Sequence, residues 1–317
     1  MGFGCWAIGG DFTLEGKPDG WGRVDDRESI RAIHHALDAG VNFFDTADAY
    51  GAGHSETVLG NALKGRRDQA VISTKFGFRY DSETKEVSGS DTSPAYARRA
   101  CEASLRRLGT DYIDLYLLHV GSIPRPEAEE LGGALDDLCR EGLIRSYGWS
   151  TWEPDCARLF ASRENCAAIE HTLNVFDDAP DMLDVCERDG LASINISPLA
   201  MGLLTGKFTA DSKLPGGDVR GARHEWVAYF DGGRPKQEYL DRLAAVREIL
   251  TSDGRTLAQG ALAWIWARSE QSIPIPGFKT MRQAEENAGA LEHGQLTPQQ
   301  MAEIEELLDR EPAEAAG

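Results

Sequence analysis

The chain has 317 residues, 41% hydrophobic and 27% charged. That is the composition of a globular protein large enough to bury a core without disulfides. Its 33 Lys and Arg against 52 Asp and Glu leave a formal net charge of −19, which argues against a nucleic-acid or anionic-membrane partner, because phosphate needs basic side chains to neutralise it.

The six cysteines form no C-x-x-C pair and no histidine pair has zinc-ligand spacing, so isolated thiols and no metal are expected. The start has no basic stretch leading into an apolar run, and no apolar run reaches about 18 residues. A cytoplasmic protein is the expectation.

The elements follow in chain order. Residues 2–6 (GFGCW) are a first candidate strand. A helix follows with Ile30, Ile33 and Leu37 on one face, Asp25 and Glu28 as a capping box, and Gly40 as its stop. Residues 42–45 (NFFD) and 70–75 (AVISTK) are short apolar runs of the kind buried on both faces of a parallel sheet. Ser93-Pro94 opens a helix with Leu105 and Leu108 inside and Gly109 at its end. Strand 113–119 (IDLYLLH) precedes a helix marked by Leu131, Leu135 and Leu138 and stopped by Gly142. Strands at 144–150, 168–172, 192–197 and 272–276 continue the rhythm, with helices at 256–266 and 281–291. Thr297-Pro298-x-Gln300 caps a last helix carrying Met301, Ile304, Leu307 and Leu308. The tail 311–317 is expected to fray.

Eight strands alternating with helices predict a single (β/α)8 TIM barrel over residues 1–317. A doubly wound sheet is the alternative, but the G-x-G-x-x-G turn it would use for a dinucleotide is absent. One segment breaks the rhythm. Residues 199–234 hold GLLTGK, Pro215-Gly216-Gly217, Trp226, Tyr229 and Phe230, and predict a long loop over the barrel mouth.

Barrel chemistry gathers at the C-terminal ends of the strands. Three successive strands end there on Asp45, Lys75 and His119, and Tyr50 follows Asp45 by five residues. A carbonyl that accepts a hydride needs a proton on oxygen. Tyr50 can supply it if the Lys75 ammonium lowers its pKa toward working pH. Asp45 would hold Lys75 charged, and a ring N–H of His119 would orient the substrate oxygen. Independently, Pro276-Gly277-Phe278-Lys279-Thr280 runs into a helix, whose N-terminus suits phosphate. Lys279 adds a charge for an extra phosphate, so NADPH/NADP is expected, with NADH as the alternative cofactor.

DTADAYGAGHSETVLGNAL (45–63), VISTK (71–75), SLRRLGTDYIDLYLLH (104–119), GLIRSYGWS (142–150), SPLAMGLLTGK (197–207) and IPIPGFKTMRQAEENAGAL (273–291) resemble the aldo-keto reductase superfamily over about residues 2 to 310. The resemblance implies the barrel, and NADPH-dependent reduction of a small aldehyde or ketone or the reverse oxidation of an alcohol. By matching position it implies that Asp45, Tyr50, Lys75 and His119 form the catalytic tetrad. It puts the adenosine phosphate site at Gly277, Lys279, Thr280, Gln283, Glu286 and Asn287, and the pyrophosphate segment at Ser197, Leu199, Gly202, Leu203 and Lys207.

Departures from the family pattern fall at the nicotinamide. Relatives commonly carry Ser-Asn where this chain has Ser150-Thr151, Gln where Glu170 stands, and an aromatic side chain where Ile196 precedes the SPL motif. Relatives also begin with a β-hairpin that plugs the barrel floor. This chain is expected to lack it, which predicts a bare apolar floor and a start lying further upstream. Trp6, Trp21, Phe76, Trp226, Tyr229 and Phe230 are the expected substrate wall. Nothing in the sequence selects an oligomeric state. Two other functions fit the residues less fully: a nucleotide-sensing barrel with slow turnover, and a Schiff-base aldolase using Lys75.

Overall fold

Eight parallel strands run in chain order around one sheet in the computed structural model, which describes residues 1–310. The tail 311–317 lies outside the described residues. The strands are β1 Gly2–Gly4, β2 Phe43–Asp45, β3 Val71–Phe76, β4 Ile113–Leu118, β5 Ile144–Ser150, β6 Cys166–Thr172, β7 Ala192–Ile196 and β8 Ser272–Pro274. A parallel bridge between Gly4 and Gly277, with the Gly4 N–H donating to Pro276 O at 3.1 Å, brings the last strand back to the first. The expected strand boundaries agree with these to within two residues at each end.

The strands are apolar on both faces because each face is buried. Outward side chains such as Phe3, Phe44, Ile72, Tyr116 and Trp149 pack under the helices. Inward ones, Phe43, Leu115, Leu117, Ala168, Ile194 and Ile275, fill the barrel. No strand precedes β1 among the described residues. The expected bare floor shows at Val71, 37% exposed beside Phe43 in register, but not at Phe43 itself. Its ring is buried, and Gly2 makes room for it, since a Cβ at Gly2 would strike the ring.

The helices are α1 Asp26–Asp38, α2 His54–Ala62, α3 Pro94–Leu108, α4 Arg125–Arg140, α5 Pro154–Ala161, α6 Pro180–Asp189, α7 Gln237–Leu250, α8 Leu257–Arg268, α9 Met281–Ala288 and α10 Pro298–Leu307. The predicted caps act as such at Ser93, which accepts from the Tyr96 N–H, and at the Thr297–Gln300 box. Asp25 caps α1, but the reciprocal bond expected from Glu28 is not made. The Glu28 carboxylate instead accepts from the Met281 N–H at 2.9 Å and ties α1 to the start of α9.

Two features at the mouth go beyond the expected pattern. Thr13–Leu14 and Lys17–Pro18, after β1, join Phe78–Asp81 and Glu86–Ser90, after β3, in a small four-stranded sheet. Segment 199–234 is built of short 3-10 turns and half of a two-stranded ribbon, Phe230–Asp231 with Arg234–Pro235. It is pinned across the mouth. Val219 N–H donates to Gly20 O at 2.9 Å, and His224 Nε2 lies 2.9 Å from Pro18 O.

Candidate active site

Strand register brings the four predicted polar side chains to one place. Asp45 closes β2, Lys75 lies one residue from the end of β3, and His119 follows β4 with its N–H donating to Phe76 O at 2.8 Å. Tyr50 sits in the turn after β2. That turn needs left-handed backbone at Gly51, Ala52 and Gly53. Gly51 is also in close approach to Gly9, whose carbonyl oxygen a Cβ would strike, so the loop after β1 braces Tyr50. Ser55 Oγ donates to Cys5 O at 2.8 Å and completes the brace.

Lys75 is fully buried. Its ammonium donates to Asp45 Oδ2 and, at 3.1 Å, to Thr46 O. It also lies 3.2 Å from Glu170 Oε2 and 5.3 Å from the centroid of the Tyr50 ring. Burial works against its charge, but Asp45, then Glu170 and Tyr50, outweigh that and raise its pKa above the ordinary value. The ring of His119 meets Tyr50 edge-on at 5.7 Å. Burial, then the Lys75 charge, hold His119 neutral, and its Nδ1 has no hydrogen-bond partner.

One expectation reverses. Lys75 favours the Tyr50 phenolate, but burial is the larger effect and Asp45 and Glu170 add to it, so the Tyr50 pKa is raised rather than lowered. Tyr50 therefore keeps its proton through the neutral range. Glu170 is buried and raised to about 8, chiefly by burial and then by Asp45.

The predicted cofactor residues lie on the strand ends β5 to β8, on the segment after β7 and at the start of α9. Ser150 Oγ donates to Glu170 Oε1 at 2.7 Å. Thr151 Oγ1 donates to Gly121 O at 2.6 Å and accepts from the Glu153 N–H, so its hydroxyl serves its own loop. Ile196 packs against the barrel interior, and Leu199 and Leu203 are buried in the neighbouring core. Ser197, Ala200, Met201 and Gly202 all have positive φ. A Cβ at Gly202 would lie 3.5 Å from Lys207 Nζ and 3.6 Å from Arg220 Nη1, so two cations face one bare glycine. At the far end Gly277 is exposed, and Thr280 with Gln283 forms the capping box of α9. Asn287 Nδ2 donates to Gly277 O, and Glu286 O accepts from Gln259 Nε2. Lys279 Nζ donates to Trp21 O at 2.8 Å, bridging the loop after β8 to the loop after β1.

Three of the predicted wall aromatics, Trp6, Trp21 and Trp226, cluster beside Tyr50. Trp6 contacts Trp21, Tyr50 and Trp226 at 5.2, 5.9 and 5.8 Å between ring centroids. Phe76 is elsewhere. It is fully buried and stacked on Tyr116 in the layer beneath the helices. Phe78 faces His119 instead, at 5.1 Å. Alternation along a strand would have found this, because Lys75 pointing inward sends Phe76 outward. Tyr229 and Phe230 are also buried. Tyr229 binds Asn174 and Asp177, and Phe230 packs on Phe208, so both anchor the long segment.

Sequence reasoning missed the Asp218–Arg220 pair. Arg220 grips Asp218 through Nε at 2.8 Å and Nη2 at 2.6 Å, donates to Met201 O, and lies 4.5 Å over the Trp21 ring. No motif marks it, because the pairing is made by the fold of the long segment. Trp152, 69% exposed, lies over Gly121 at the rim.

The family model described as "Aldo/keto reductase family" matches residues 1–309. An NADP(+)-linked aldo-keto reductase of Schizosaccharomyces pombe is 30% identical, covering 98% of this chain and 88% of that protein. A probable aldo-keto reductase of Glycine max is 31% identical over 92% of this chain and 80% of that protein. Among solved structures, a glycerol dehydrogenase from Gluconobacter oxydans superposes with a TM-score of 0.83 at 28% identity, covering 100% of this chain and 94% of that one. The holo form of an aldo-keto reductase from Bacillus halodurans gives 0.76 at 29% identity, covering 99% and 93%.

Proposed function

The chain belongs to the aldo/keto reductase family, and from that premise we propose that it reduces aldehydes or ketones to alcohols, reversibly, with NADPH and with Tyr50 as the general acid. The observation that carries the reading is the buried Asp45–Lys75 pair set beneath Tyr50, with a neutral His119 alongside.

The residues present fit a phosphorylated dinucleotide. Gly202 faced by Lys207 and Arg220 suits a pyrophosphate, and Lys279 at the start of α9 suits a further phosphate. Ser197, Leu199 and Leu203 would contribute backbone there, and Gly277, Thr280, Gln283, Glu286 and Asn287 would hold the adenosine end. Ser150, Thr151, Glu170 and Ile196 would surround the nicotinamide. When bound, the cofactor supplies the hydride.

The chain's own residues do the rest. Tyr50 keeps its proton until an oxyanion forms at its hydroxyl, and then gives it up. Lys75 stabilises the phenolate left behind. Asp45 keeps Lys75 charged and fixed. Neutral His119 donates a hydrogen bond to the substrate oxygen. Trp6, Trp21, Phe78 and Trp226 supply an apolar wall suited to aryl or alkyl carbonyls. A Schiff-base role for Lys75 needs a neutral amine, and its raised pKa opposes that. The sensor reading has one observation in its favour: the hydroxyls of Ser150 and Thr151 are already engaged within the protein.

The test is paired. NADPH and NADH binding are followed by tryptophan fluorescence, and an activated aromatic aldehyde is then added while reduced-cofactor absorbance is recorded. Aldehyde-dependent oxidation supports the reductase. Tight binding without oxidation of any carbonyl would replace it with the sensor reading.

A further inference from the structure

Among the described residues, Lys75 is the one permanent cation beside two buried carboxylates, Asp45 and Glu170. Its ammonium has three N–H donors. Asp45 Oδ2 and Thr46 O take two of them. Tyr50, above the ammonium, and Glu170 Oε2, at 3.2 Å, compete for the third. Glu170 Oε1 accepts from Ser150, while Oε2 is buried and makes no well-aligned hydrogen bond.

In the cofactor-free protein, the described residues around the Asp45–Lys75–Glu170 cluster supply no second positive charge. Cys5 after β1 has a thiol that burial, then Asp45, keeps protonated. Asp45 and Tyr50 come from β2 and the turn beyond it. Lys75 comes from β3 and neutral His119 from the end of β4. Ser150 of β5 does not titrate, and β7 and β8 contribute Ile194 and Ile275 to the interior. Two buried carboxylates that share one ammonium leave one excess negative charge, which costs several kcal/mol and is normally removed by binding a proton.

We propose that Glu170 is a positioning residue that carries a proton at neutral pH, leaving Lys75 to Asp45 and Tyr50, and that its ionisation at alkaline pH draws Lys75 toward itself and disfavours the Tyr50 phenolate. The proton comes from solvent and sits on the Glu170 carboxylate. Burial and the Asp45 charge act in the same direction. The consequence is a built-in bias. Alcohol oxidation needs the phenolate and gains from rising pH, and ionised Glu170 limits that gain. Carbonyl reduction needs the phenol and is spared. The bias on catalysis rests on the reductase reading above; the proton on Glu170 does not.

The test uses Glu170→Gln, which keeps the shape and removes the titration. Melting temperatures of the cofactor-free wild type and variant are measured from pH 6 to 9.5. Glu170 has a raised folded pKa, so its contribution to stability is lost as pH rises through about 8. The wild type should lose ground to Glu170→Gln from pH 6 to about 8 and run parallel to it above that, and curves parallel over the whole range would overturn the proposal. If Glu170→Gln does not fold, Ser150→Ala serves. It removes a hydrogen bond to the ionised carboxylate, so the wild-type break should move to higher pH, and an unmoved break overturns the proposal. In the enzymatic arm, alcohol oxidation by Glu170→Gln should keep rising above pH 8 where the wild type flattens, reaching at least about tenfold over wild type, since a charge within about 9 Å at an effective dielectric of about 20 is worth more than one factor of ten. Matching profiles overturn the catalytic part. A wild type that turns over no carbonyl or alcohol sinks the reductase reading, while the melting curves still decide where the proton is.

Discussion

Removing the Lys75 ammonium leaves Asp45 charged and buried with no cation. In Lys75→Met the side chain keeps its volume and apolar stem, so packing changes little. The Lys75 and Asp45 side chains are 0% and 3% exposed. At a charge-assisted hydrogen-bond distance of about 2.8 Å and an effective dielectric of about 20, their attraction is about 6 kcal/mol. Desolvation offsets much of that in the wild type, and breaking one side of such a buried pair typically costs about 3–5 kcal/mol. For a chain of this size that is a fall of about 6–10 °C in Tm, at roughly 2 °C per kcal/mol. The loss has a pH signature. In the variant Asp45 must bind a proton to stay buried, so its folded pKa is raised, and the stability present at low pH is lost as pH rises through that value. Thermal melts at pH 6 and pH 9 would therefore show the larger deficit at pH 9. Asp45→Asn combined with Lys75→Met removes the stranded charge and should recover about half of the loss. If the single and double variants melt together at every pH, the charge pairing is not what holds this site.

Gly51→Ala places a Cβ against Gly9 O in backbone at φ +62°, and should cost about 2–4 kcal/mol and displace Tyr50; denaturant melts and steady-state rates would show both. Lys279→Ala should weaken NADPH about tenfold more than NADH in paired titrations, the worth of one phosphate contact of about 1.4 kcal/mol; equal losses would remove Lys279 from the phosphate site. Glu28→Gln should do the opposite, tightening NADPH a few-fold and leaving NADH unchanged, because it takes a carboxylate from the first N–H of α9. Because burial raises the Tyr50 pKa, kcat/KM for reduction should hold through pH 9; a fall centred near pH 7 would mean a different acid.

The barrel was legible because its strands are short apolar runs and its helices carry side-chain caps. Ser93 and the Thr297–Gln300 box act on their own turns, which is all that local sequence encodes. The polar centre was legible for the same reason, since Asp45, Lys75 and His119 each mark a strand end. What local pattern could not carry was the joining of loops. The small sheet pairs Thr13 with Glu86, and Lys279 reaches Trp21 O. Glu28 met the spacing of a capping box, yet α9 outbid the local bond. The direction of the Tyr50 shift was missed because the ammonium is visible in the sequence and the burial opposing it is not.

The most direct test of the account is Tyr50→Phe at pH 7, with NADPH binding and the single-turnover rate of carbonyl reduction measured on the same preparation. The account predicts a rate lower by about 10²–10⁴ with NADPH affinity within a few-fold of wild type. A Tyr50→Phe protein that reduces the carbonyl at the wild-type rate would contradict it.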